Sequence, residues 1–175
     1  MEIAFADYAV RVERQITSKY AIPVITRKFP ITFLGDLNGA EIHIEETATA
    51  EQRLFLLGHL FGHTVQWSLD PDVFTLAQQL KPPVPAQVLP AILKYEEEAA
   101  EYAQALLHEI GITDADMWLA QYSACDRAYL LHFYQTGDRR EFRTFWSESV
   151  ASLYSRPIPL FTPVKRRFRQ DGIVI

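Results

Sequence analysis

The stretch Gly58-His59-Leu60-Phe61-Gly62-His63 decides how this chain is read. Its two histidines stand four residues apart, and residues at i and i+4 share one helical face with Cβ atoms about 5–6 Å apart. Two imidazoles so placed reach a single ion at the roughly 2.0–2.1 Å of a Zn–N bond. Leu54 to Leu57 before the motif and Val65 to Trp67 after it make the segment apolar nearly all round, which predicts a helix buried against several neighbours. Thr49, followed three residues later by Gln52, reads as the capping box that starts this helix, and Ser68-Leu69-Asp70-Pro71 closes it. Gly58 and Gly62 lie inside it, where each glycine costs about 1 kcal/mol relative to alanine. Their presence beside the histidines predicts that something approaches closely at that level.

Working outward, Ile3, Ala6, Tyr8, Val10, Val12 and Ile16 predict a first helix over 3–20, stopped by Pro23. Residues 31–34 and 40–45 read as two short strands joined by turn chemistry at 35–39, with Ile42 and Ile44 on one face. A third helix over about 88–110 carries the stripe Ile92, Tyr95, Ala99, Tyr102, Ala103, Leu106 and Ile110, with Gly111 as its cap. A fourth spans about 114–135, with Met117, Ala120, Ala124, Ala128 and Leu131 on one face, and ends at Gly137. A fifth, capped by Asp138, is expected over 139–154 with Phe142, Phe145, Trp146 and Leu153. The proline-rich run 81–85 is a connection, and Pro157, Pro159 and Pro163 mark an extended tail. The layout predicts an α+β fold, mostly helical with a small N-terminal sheet, organised as a single domain over 1–155 and a tail over 156–175.

Composition sets the outer bounds. The 175 residues suffice for one domain with a sizeable core, and 49% apolar against 22% charged residues excludes wholesale disorder. A net charge of −5 argues against a nucleic-acid partner, since such binding neutralises phosphates with clustered Lys and Arg. The basic run Lys165, Arg166, Arg167 and Arg169 reads as a solvated tail. The single cysteine, Cys125, excludes an internal disulfide and reads as a buried, inert thiol. The first residues lack a basic signal-peptide region, and the longest apolar run, Leu54 to Leu60, is far short of a membrane span. These features predict a cytoplasmic protein without a membrane partner. His108 reads as a helix-terminal cation, and His43 and His132 as surface or core residues.

A mononuclear zinc site usually takes a third protein ligand, often from another helix, and Glu96-Glu97-Glu98 on the third helix offers three carboxylates. On the helical wheel Glu96 and Glu98 lie at opposite edges of the stripe centred on Ala99, while Glu97 and Glu101 point away. Three segments then align with a known pattern: Gly39-Ala40-Glu41-Ile42-His43-Ile44, Glu51-Gln52-Arg53-Leu54-Phe55 running on to His59-Leu60-Phe61-Gly62-His63, and Glu98-Ala99 followed by Tyr102-Ala103 and Leu106-Leu107. Over roughly residues 3–110 the chain resembles the ImmA/IrrE family of zinc metallopeptidases. The resemblance implies a zincin-like fold and a zinc ion held by His59, His63 and Glu98. It also implies a protein partner, such as a repressor or stress regulator.

The departures from that pattern carry equal weight. Leu60 stands where the family's H-E-x-x-H helix has the glutamate that takes a proton from metal-bound water. Loss of a positioned general base costs on the order of 10²–10⁴ in rate. Ala100 replaces the polar residue after the ligand glutamate, and His108 follows Leu107 where the family has proline. The expectation is therefore a metallopeptidase-like protein without peptidase activity that binds a protein partner. Two alternatives stand beside it. One is a divergent zinc-dependent hydrolase with Glu96 or Glu97 as base. The other is a metal-free interaction protein whose His59 and His63 hydrogen-bond to Glu98, Tyr95 or Tyr102.

Overall fold

A helix apolar on every side has to be enclosed on every side, and the second predicted helix organises the molecule for that reason. The computed structural model describes residues 3–29, 34–79 and 81–166. In chain order it holds α1 (Phe5–Lys19), β1 (Val24–Arg27), β2 (Gly35–Leu37), β3 (Ile42–Glu45), α2 (Ala50–Leu69), α3 (Pro71–Gln79), α4 (Leu89–Glu109) and α5 (Asp116–Thr136), with short 3-10 turns at Ala86–Val88 and Phe142–Phe145. Every residue of α2 from Leu54 to Trp67 is buried, packed by α4, α1, α3 and the sheet. The capping box forms as expected: Thr49 Oγ1 accepts from the Gln52 amide at 3.2 Å, and Gln52 Oε1 accepts from the Thr49 amide at 2.9 Å.

The close approach that Gly58 and Gly62 predicted is the approach of α4. A Cβ on Gly58 would lie 2.9 Å from the Ala103 Cβ, and one on Gly62 would lie 2.7 Å from the Ala99 Cα and overlap its carbonyl oxygen. Gln66 reaches the Tyr95 carbonyl one turn further on. Ascending α2 therefore meets descending α4, and the two helices are antiparallel.

The sheet has the order β1-β3-β2, with β1 parallel and β2 antiparallel to the central β3. Ile42 and Ile44 face the core as the alternation predicted. The sheet differs from the expected pair of strands in two ways. Val24–Arg27 adds a third strand, and pairing begins at Gly35, inside the expected turn, because Gly35 to Leu37 take the open edge of β3. Residues 31–33 of the run expected to form a strand lie outside the described residues.

Three further corrections concern helices. Helix α3 follows directly on α2, where the sequence predicted only a stop; Pro71 opens it, and the Asp70 carboxylate accepts from the Asp72 amide at 2.8 Å. The buried face of α5 is centred on Trp118, Tyr122, Cys125 and Leu130, while Met117, expected inside, is 52% exposed. The fifth helix over 139–154 does not form. One 3-10 turn sets the rings of Phe142 and Trp146 against Tyr122, after which Ser147 exchanges local hydrogen bonds with Ser149 that compete with a helix.

From Ser147 the chain runs extended and packs back on the body. Phe161 stacks on Tyr20 at 5.6 Å, and Arg156 pairs with Glu101 at 2.7 Å. The basic run is not simply solvated at its start: Lys165 pairs with Glu41 at 3.4 Å, and the Arg166 side chain donates to the Trp67 carbonyl at 2.8 Å. Arg167 and Arg169 lie outside the described residues. Cys125 is buried with its thiol donating to the Phe142 carbonyl, and burial pushes that thiol up to about 11. Among the described residues no helix is long and apolar enough to cross a membrane.

Candidate metal centre

The face that α2 turns to α4 carries His59 and His63, and α4 answers with Glu96. His59 Nε2 and His63 Nε2 lie 2.9 Å apart, His63 Nε2 lies 3.1 Å from Glu96 Oε2, and His59 Nε2 lies 3.4 Å from the same oxygen. The residues are 2%, 5% and 4% exposed. They form a group whose ligand atoms could hold one metal ion. A tetrahedral ion with bonds of roughly 2.0–2.1 Å separates its ligand atoms by about 3.3 Å, which is the scale of this triangle.

Proton positions sharpen the point. The Gln66 amide nitrogen donates to the Tyr95 carbonyl at 2.9 Å, which turns Gln66 Oε1 toward His63 Nδ1, also at 2.9 Å. The flipped amide would set oxygen against oxygen, so the network assigns the orientation. His63 in its neutral form then carries its proton on Nδ1 and presents the Nε2 lone pair to the triangle. Burial above all pushes His59 well below the usual imidazole range, and a proton on the neighbouring His63 would lower it further, so His59 is neutral. A single proton on His59 Nε2 can serve either His63 or Glu96, and the remaining acceptors still face each other. A cation satisfies all three atoms at once. An outer hydrogen bond such as that from His63 to Gln66 is the usual way a ligating imidazole is fixed.

Glu98, favoured by the family register, stands outside the triangle. Its carboxylate lies 3.5 Å from the Gln66 amide, 3.6 Å from Arg156 and 3.9 Å from Lys94. It touches the group through Gln66 only. Of the two carboxylates the wheel left open, Glu96 is the one that reaches the histidines. The other partners considered for the histidines are occupied elsewhere. The Tyr95 ring stacks on His63 at 4.2 Å, but its hydroxyl accepts from the Trp67 indole at 2.8 Å. Tyr102 lies beneath the Arg156 guanidinium.

Leu60 is 5% exposed, and its Cδ1 lies 2.9 Å from where a Gly35 Cβ would stand. Hydrocarbon packed on strand β2 thus fills the position next to the first histidine. Glu97, a candidate substitute base, is half exposed and pairs with Arg127 at 3.2 Å. His108 bonds Asp116 at 2.8 Å and ties the end of α4 to the start of α5.

Sequence reasoning missed Gln66 and Asp126. Gln66 lies three residues past His63, on the same helical face, and that spacing was the available signal. Asp126 is 1% exposed, and neither carboxylate oxygen has a hydrogen-bond partner among the described residues. Burial first, and then the charge of Glu96, holds its carboxyl well above the usual range. Beside the N-terminal half of α2 lies a cleft of about 490 Å³, lined among others by Glu51, Phe55, Tyr122, Arg140 and Phe142. Its Phe55 wall stacks on His59 at 5.2 Å. No protein-family model, curated protein or solved structure matches the chain.

Proposed function

We propose that this chain is a metallopeptidase-like protein that holds a divalent metal, zinc by its donor set, between α2 and α4, lacks peptidase activity and acts by binding a protein partner. The observation that carries the reading is the convergence of His59 Nε2, His63 Nε2 and Glu96 Oε2 within 3.4 Å of one another in a buried site that a single proton cannot satisfy. Two imidazole nitrogens and a carboxylate oxygen are a donor set suited to zinc. When bound, the ion would supply a charge that links the buried carboxylate to two neutral imidazoles.

The absence of hydrolysis follows from the residues around the ion. Leu60 offers no proton acceptor, Glu96 is a ligand, and Glu97 is held at the surface by Arg127. Ligands this enclosed leave a peptide no approach to the ion. The partner reading rests on the resemblance to a family whose members act on repressors and stress regulators. The test is a broad peptide panel incubated with the zinc-loaded protein. No cleavage above the level of His63→Ala is expected, and zinc-dependent cleavage that disappears in His63→Ala would overturn the reading.

A further inference from the structure

The cleft of about 490 Å³ beside the N-terminal half of α2 has the size of a small-molecule site. Its apolar lining is aromatic and continuous. The Tyr122 ring stacks on Phe55 at 4.1 Å and meets Phe142 at 5.2 Å, and Phe142 in turn meets Tyr129 at 5.8 Å. Phe55 and Tyr122 are buried, whereas Tyr129 and Phe142 are half-buried and keep ring surface open. Rings so arranged accept a further flat ring by offset or edge-to-face contact.

The polar groups of the cleft fall into two kinds. Glu51 is fully engaged: it accepts from the Trp118 indole at 3.0 Å and from the Arg143 guanidinium, which lies over Trp146. That pair cancels its own charge. Arg140 and Glu141, consecutive in the chain and both exposed, also line the cleft and carry one charge of each sign. Neither side chain has a hydrogen bond or ion pair among the described residues, and the two do not pair with each other. The Tyr122 hydroxyl is a third unmatched group. The residue is 6% exposed, its oxygen is not sealed among protein atoms, and no described residue hydrogen-bonds to it. A phenol this buried ordinarily finds a partner.

We propose that this cleft binds a free aromatic α-amino acid, its ring against Tyr129 and Phe142, its carboxylate at Arg140 and its ammonium at Glu141, with the Tyr122 hydroxyl supplying a hydrogen bond. Each charge of such a ligand meets an opposite one. A site whose two free charges cancel favours a zwitterion over a simple anion or a simple cation. The inference does not rest on the metal reading, although Phe55 also stacks on His59 at 5.2 Å.

The test titrates the full chain with L-phenylalanine by calorimetry, beside 3-phenylpropionate, which lacks the ammonium, and phenethylamine, which lacks the carboxylate. L-Phenylalanine should bind saturably and about two- to fivefold more tightly than either analogue, the scale of one exposed ion pair. In Arg140→Gln it should bind no better than phenethylamine, and in Glu141→Gln no better than 3-phenylpropionate. Arg139→Gln removes the neighbouring charge, which lies over Phe133 and outside the cleft, and should change nothing. Tyr122→Phe keeps the ring stack and should weaken L-phenylalanine by about threefold, as for one neutral hydrogen bond. Its melting temperature should not fall, because the hydroxyl it removes has no partner in the protein. Four results would each overturn the inference: no saturable binding of L-phenylalanine, an analogue that binds as tightly, equal effects of Arg139→Gln and Arg140→Gln, or wild-type affinity in Tyr122→Phe. None of them bears on zinc, so the metal reading stands or falls separately.

Discussion

At His59 two effects push the same way: burial penalises the charged imidazole, and the neighbouring His63 adds to the penalty. The folded protein therefore keeps this ring neutral at pH values where the unfolded chain, with an ordinary value of 6.5, begins to take a proton. The unfolded state then binds more protons, so stability is complete above about pH 6.5 and falls as the pH drops below it, by up to about 1.4 kcal/mol per pH unit. Denaturant unfolding of the zinc-free protein between pH 7.5 and 5 should show this fall, and His59→Gln should flatten it. Equal slopes in the two proteins would contradict the placement of a neutral His59. Much of this residue scale was legible in advance. The spacing of His59 and His63 pointed to one face, and their Nε2 atoms lie 2.9 Å apart. The third ligand was not legible, because Glu96 and Glu98 flank the apolar stripe evenly on the wheel; the packing sets Glu96 beside the histidines and Glu98 beside Arg156 and Lys94.

Between elements, the decisive contact is α2 on α4. Gly62 has no room for a side chain, since a Cβ there would overlap the Ala99 backbone. Backbone cannot rotate out of the way as a side-chain tip can, so Gly62→Ala has to separate the helices that carry the ligands. We expect a loss of at least about 1–3 kcal/mol, the usual scale of overpacking, together with weaker zinc binding. Gly111→Ala serves as a control: it meets no neighbour within 4 Å, and its φ of +74° makes the substitution strained but remote from the centre. Equal zinc affinity in Gly62→Ala and the wild type would show that the helix contact does not set the ligand geometry. Helices with caps and clear stripes could be read from the sequence: Thr49 and Gln52 opened α2, and Gly137 closed α5. The short strands and the segment after Asp138 could not, because tertiary partners set them. β1 forms on β3, and a single 3-10 turn places Phe142 and Trp146 on Tyr122.

On the scale of the whole molecule, the extended C-terminal segment acts as a strap. It joins the edge turn at Asn38, the end of α2 at Trp67 and the middle of α4 at Glu101 through Arg166 and Arg156. Composition and proline content made its extended form legible, but not its docking, which depends on ion pairs and rings distant in sequence. Through Arg156 the same strap also lies 3.6 Å from the Glu98 carboxylate. The central claim, that His59, His63 and Glu96 hold one metal ion, is tested most directly by elemental analysis of the purified wild type, His63→Ala, Glu96→Gln and Glu98→Gln. The account predicts about one equivalent of zinc in the wild type and in Glu98→Gln, and little in the other two. A folded wild type without metal after exposure to zinc, or a loss in Glu98→Gln with retention in Glu96→Gln, would contradict it.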